Sequence, residues 1–146
     1  MTADREVRIT RTFDAPRELV FRAWLDPDQI VAWMAPAGLD VPRSSVRVDA
    51  RVGGRIEYSM VDPSSGQEYP VVFEIVELSE PELLLFESPA QPELGFPDRT
   101  STRVILEENG DQTTITITQG PHTDETIRDA QAGWTSILDN LGALLA

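Results

Sequence analysis

Phe13-Asp14-Ala15-Pro16-Arg17-Glu18-Leu19-Val20-Phe21-Arg22-Ala23-Trp24 is the stretch on which the fold turns. It runs a strand straight into a helix. Upstream, residues 6–13 alternate: Val7, Ile9 and Arg11 point one way, Arg8, Thr10 and Thr12 the other. A period of two marks a half-buried strand. Pro16 suits the first helical position, where a missing N–H costs nothing, and Asp14 stands near the positive end of the helix dipole. Leu19, Val20, Ala23 and Trp24 form an apolar stripe at helical spacing.

Asp26-Pro27-Asp28 repeats the start signal and opens a second short helix, with Ile30, Trp33 and Met34 on one face. Pro36 and Gly38 end it. Strand pattern fills the middle of the chain. Residues 45–50 and 55–61 flank a tight turn at Gly53-Gly54. Residues 67–78 form a long strand, expected to twist or bulge near Pro70 because proline cannot donate to a ladder. Strands over 83–87, 102–107 and 113–119 follow. A proline-rich loop is expected at 88–98, and Asn109-Gly110 is the strongest hairpin signal in the chain. Beyond the N-cap region Thr123-Asp124-Glu125, one face of a long helix carries Ile127, Ala130, Trp134, Ile137, Leu138, Leu141, Leu144 and Leu145. Such a helix needs a broad apolar partner. The expected fold is one α+β domain over residues 1–146. A strand, two short helices and about six further antiparallel strands wrap a long C-terminal helix.

Composition excludes several functions. The net charge of −13 comes from 12 basic and 25 acidic residues, and every basic residue is arginine. A chain this acidic is repelled by nucleic acid and by anionic membrane surfaces. Without lysine there is no Schiff-base chemistry, and without cysteine there are no disulfides, thiol nucleophiles or thiolate metal sites. No apolar run approaches the roughly 18 residues of a membrane span, and residues 1–6 lack the apolar core of a signal peptide. The cytoplasm is the expected location.

His122, the single histidine, lies in Gly120-Pro121-His122-Thr123. It reads as a surface or capping residue, since no nucleophile elbow accompanies it. The acidic loop residues lack calcium-loop spacing, and Gly53-Gly54 lacks the Lys-Ser/Thr of a phosphate loop. No metal and no cofactor is expected. What remains is the interior. Trp33, Met34, Tyr58, Met60, Phe73, Phe86, Trp134 and Leu138 sit on elements that face inward, and Gln131 stands at the edge of the helix stripe. Tryptophan and methionine suit an adaptable apolar space. Glu74 is the one carboxyl in the apolar run Val71-Val72-Phe73-Glu74-Ile75-Val76, but alternation puts it opposite Phe73. Gly133, beside Trp134, is expected to let a strand or loop approach the helix closely.

Phe13-Asp14-Ala15-Pro16 with Val20-Phe21 and Trp24, Trp33 with Pro36, Gly53-Gly54 before Met60, Glu74-Ile75, Pro81-Glu82-Leu83, and Gly133-Trp134 with Leu138 and Leu141 lie in order along the chain. In this set the chain resembles the START-like superfamily with the helix-grip fold. Within it, the chain is similar to the group of the C-terminal domain of the activator of Hsp90 ATPase. That group commonly carries a paired tryptophan before glycine-proline; here the residues are Trp33-Met34-Ala35-Pro36. The resemblance implies a cavity between sheet and terminal helix. It implies a small hydrophobic or amphipathic ligand, bound without catalysis. Two alternatives go with it: a cyclase- or hydrolase-type enzyme using the same cavity, and a chaperone-linked interaction module. A chaperone and a second copy of the chain are the protein partners it admits.

Overall fold

The structure is a computed structural model and describes residues 5–90 and 99–145. Strand β1 (Arg5–Phe13) leads into helices α1 (Arg17–Ala23) and α2 (Pro27–Trp33). A 3-10 turn (Arg43–Ser45) precedes strands β2 (Arg47–Val48), β3 (Arg55–Val61), β4 (Glu68–Ser79), β5 (Leu83–Ser88), β6 (Thr100–Asn109) and β7 (Gln112–His122). Helix α3 (Ile127–Leu145) closes the chain. The proline-rich stretch read as a loop falls largely on residues 91–98, outside the described residues.

The seven strands form one sheet in the order β1-β7-β6-β5-β4-β3-β2, every pair antiparallel. The order reflects the connections. Each strand from β2 to β7 lies beside its neighbour in sequence, and only β1 crosses over to pair with β7. This is the expected α+β helix-grip architecture. None of the described helices is long and apolar enough to cross a membrane.

Local chemistry sets the helix starts. Asp26 caps α2, its carboxylate accepting from the Asp28 N–H (3.0 Å), and Pro27 opens the first turn. In α1 the buried face is Val20, Phe21 and Ala23, continued by Trp24; Leu19, read as part of that stripe, is 45% exposed. A seven-residue helix presents fewer than two full turns, so one side of it suffices to cover the sheet. Thr123 and Thr126 cap α3 reciprocally: the Thr126 N–H donates to Thr123 Oγ1 and the Thr123 N–H to Thr126 Oγ1, both at 3.1 Å. Helical turns therefore begin at Ile127, a little after the acidic cap region.

Two irregularities shape the sheet. The bulge in β4 lies at Val76, between the Ile75–Phe86 and Glu77–Leu85 pairs, and not at Pro70. Pro70 pairs regularly with Ser59 on β3, and β5 joins β4 only from Glu74 onward. At Pro70 the strand thus has one described neighbour, the edge-like position that proline tolerates. The second irregularity faces β1. Arg5 pairs with His122 and Val7 with Gln119, so three steps along β7 match two along β1. One extra residue reverses the side-chain alternation beyond it.

The core packs between the sheet and the C-terminal half of α3. The C-terminal half of α3 is pinned tightly. Asn140 Nδ2 donates to the Ala35 carbonyl (2.8 Å), Ser136 Oγ accepts from the Ala37 N–H (2.9 Å), and Arg11 pairs with Asp139 (2.8 Å). Leu138 and Leu141 are fully buried there. An aromatic chain continues inward: Trp24 packs edge-on to Trp33 (4.7 Å between ring centres), then against Trp134 (5.9 Å) and Phe86 (6.0 Å), which meets Phe73 at 4.4 Å.

Candidate functional site

The N-terminal half of α3 stands off the sheet and leaves a cavity of about 260 Å³. Tyr58 and Met60 on β3 and Tyr69, Val71 and Phe73 on β4 form one wall. Ala130, Gly133, Trp134 and Ile137 on α3 form the opposite one. Thr100 and Gln119 of β6 and β7, with His122, close the end. No charged side chain lines it among the described residues. A larger depression, 450 Å³, lies on the outer sheet face among Glu6, Arg8, Arg103 and Glu107. Its charges are mixed and its strands present their solvent side, so the inner cavity is the better-built site.

Four of the residues expected there are on its wall: Tyr58, Met60, Phe73 and Trp134. Four others are not. Trp33, Met34, Phe86 and Leu138 are completely buried and back the wall through the aromatic chain and the α3 contacts. Gln131 is a correction. It is exposed on α3, where its carbonyl accepts from Thr135 Oγ1 (2.9 Å). One residue past Ala130 is about 100° of helical rotation, enough to leave the cavity face. Glu74 points outward, as its alternation with Phe73 requires, and meets Arg99 at 3.3 Å. Gly133 is a second correction. A Cβ built on it would meet nothing within 4 Å. Its missing side chain leaves open cavity, not a close approach. Close contact belongs to Gly142, whose Cβ would lie 3.5 Å from the Phe13 ring.

The polar end of the cavity is organised by Gln119. Its Oε1 accepts from Trp134 Nε1 (3.0 Å), and its Nε2 donates to Thr102 Oγ1 (2.8 Å), the residue paired with it across the strands. His122 Nε2 lies 3.0 Å from the same Oε1. An amide oxygen only accepts, so Nε2 carries the proton and Nδ1 is left as the acceptor, 3.4 Å from Thr126 Oγ1. Burial lowers the His122 pKa below the usual imidazole value. The residue is 2% exposed, so of the surface or capping roles the sequence suggests the surface one is corrected, while Nδ1 stands beside the Thr126 of the α3 cap. The β7 bulge is the reason. Alternation from Ile115 and Ile117 carries Gln119 inward, and the extra residue turns His122 inward as well. The alternation signal for Gln119 is present in the sequence; the bulge has no such signature.

Tyr58 is the other notable polar group. It is 5% exposed, its ring packs at 6.3 Å from Phe73, and its hydroxyl has no hydrogen-bond partner among the described residues. Burial alone pushes its pKa up, so the hydroxyl stays protonated.

Comparisons with known proteins agree with this architecture. The family described as Activator of Hsp90 ATPase homolog 1-like protein matches residues 14–146. A protein from Chromobacterium violaceum is 27% identical, with a TM-score of 0.85 over 97% of this chain and 97% of that chain. The AHSA1 protein from Silicibacter pomeroyi is 25% identical, with a TM-score of 0.81 over 97% of both chains. The AHSA1-like protein from Aeromonas hydrophila is 25% identical, with a TM-score of 0.79 over 95% of this chain and 90% of that chain. No curated protein matches the chain. With a sheet that grips its terminal helix and a family match from residue 14 to residue 146, the chain belongs to the Activator of Hsp90 ATPase homolog 1-like family.

Proposed function

We propose that the chain binds a small, largely apolar molecule between the sheet and the N-terminal half of α3, acting in the cytoplasm without catalysing a reaction on it. The cavity carries this reading. It is about 260 Å³, just below the roughly 300–1,000 Å³ usual for ligand sites. Its walls are aromatic and aliphatic, with a few polar groups gathered at one end. One chain builds all of it, so a second copy is not needed to complete the site.

The enzyme alternative draws on His122 at the cavity end. Its proton is committed to Gln119, its ring is held neutral, and the neighbouring hydroxyl of Thr126 also serves the cap of α3. That arrangement supports orientation of a ligand better than proton transfer. The chaperone-linked alternative follows from the family description and from no feature of the cavity. An Hsp90 ATPase assay with the purified chain tests it, and no stimulation is expected. For the binding reading, the test is mass spectrometry of the natively purified protein before and after denaturation. A small apolar compound released on unfolding supports it. A protein that carries nothing, and whose unfolding temperature no apolar compound raises, overturns it.

A further inference from the structure

We propose that the cavity selects an uncharged molecule of about two fused rings that carries a carbonyl oxygen, which accepts a hydrogen bond from the Tyr58 hydroxyl. This rests on the binding reading and names the ligand class. Size comes first. An apolar cavity of about 150 Å³ accepts one benzene. The 260 Å³ here therefore admits roughly two rings.

Charge comes next. No arginine, aspartate or glutamate lines the cavity among the described residues. The arginines on or beside the wall's elements lie away from it: Arg55 pairs with Glu57, Arg99 with Glu74 and Glu87, Arg103 faces the outer depression, and Arg128 is exposed on α3. A carboxylate placed inside would lose its water without gaining a partner, a large penalty. An ammonium would fare no better.

The hydrogen bond is assigned by comparing the donors on the wall. Trp134 Nε1 and His122 Nε2 both donate to the Gln119 oxygen, and Gln119 Nε2 already donates to Thr102. Two wall residues more than nine-tenths buried, Tyr58 and Thr100, have hydroxyls without a partner among the described residues, and of the two the phenol is the stronger donor and stands on the wall opposite α3. Phenylalanine would pack there equally well. The hydroxyl opens on the cavity, where an entering acceptor can take its hydrogen bond.

The test is calorimetric titration of wild type and Tyr58→Phe with 2-acetylnaphthalene, 2-ethylnaphthalene and 2-naphthoate. The ketone should bind wild type and lose about fivefold to tenfold in affinity to Tyr58→Phe, one neutral hydrogen bond's worth. The hydrocarbon should bind both proteins equally, and the carboxylate neither. The variant loses no partner in the protein, so its melting temperature should stay level or rise. Infrared spectra give a second readout on wild type: the ketone C=O stretch should shift to lower frequency on binding. Equal ketone affinity in both proteins, tight naphthoate binding, or an unshifted carbonyl overturns the assignment while the binding reading stands on the hydrocarbon. If none of the three probes binds wild type, the ligand assignment falls, and the binding reading is decided separately by mass spectrometry of the natively purified protein.

Discussion

Trp134 joins the core to the cavity. One face meets Trp24, its indole N–H serves Gln119, and its edge lines the open space. Trp134→Ala should destabilise the fold by about 3–5 kcal/mol in urea titration, as emptied core aromatics do. A cost below about 1 kcal/mol would mean that the indole is not packed as described. His122 gives a pH prediction. Its folded pKa lies below the unfolded value because burial disfavours the imidazolium. Between the two values the unfolded chain binds more protons, so stability is full above the unfolded pKa of about 6.5 and falls as pH drops toward the folded pKa. The urea midpoint should drop from about pH 7.5 to about pH 5.5 in wild type and drop less in His122→Gln. An equal drop in both would assign the acid sensitivity elsewhere. Trp134 is legible from helical spacing alone. His122 is not, because one added residue in β7 reverses the parity that a regular strand would have.

Two glycines on different elements test how closely the backbone is packed. In α3, a Cβ at Gly133 points into open cavity. Gly133→Ala should therefore gain up to about 1 kcal/mol from helix propensity with no steric cost. In the turn before β3, a Cβ at Gly54 would lie 2.0 Å from the Asp49 carbonyl oxygen. Gly54→Ala must push backbone aside and should cost about 1–3 kcal/mol or more. Thermal unfolding of both variants checks the pair, and a stabilised Gly54→Ala or a destabilised Gly133→Ala would contradict the packing. Element order and type are readable because each periodic run is bounded by strong turn chemistry, such as Asn109-Gly110 and Gly53-Gly54. The β4 bulge is not. Proline advertises itself in sequence, whereas the ladder slips at Val76, an ordinary strand residue.

At the scale of the molecule, function turns on the space under α3. Helix α3 is clamped at its C-terminal half by Asn140, Ser136 and Asp139, and held at its N-terminal half by the Thr123–Thr126 cap and the Trp134–Gln119 bond. That division keeps the cavity open between two anchors. The arrangement is only partly legible in the sequence. Apolar spacing identifies which residues face inward, but whether facing side chains meet depends on how far the helix stands from the sheet. The anchors that set this distance lie far apart in the chain. The most direct measurement is thermal unfolding of wild type and Gly133→Leu with 2-acetylnaphthalene or 2-ethylnaphthalene. The leucine grows into the cavity and leaves the fold's anchors intact. Wild type should gain stability with ligand, by about 2.7 kcal/mol at a hundredfold excess over Kd, and Gly133→Leu should gain little. If no ligand moves wild type, or both proteins shift equally, the cavity is not the binding site.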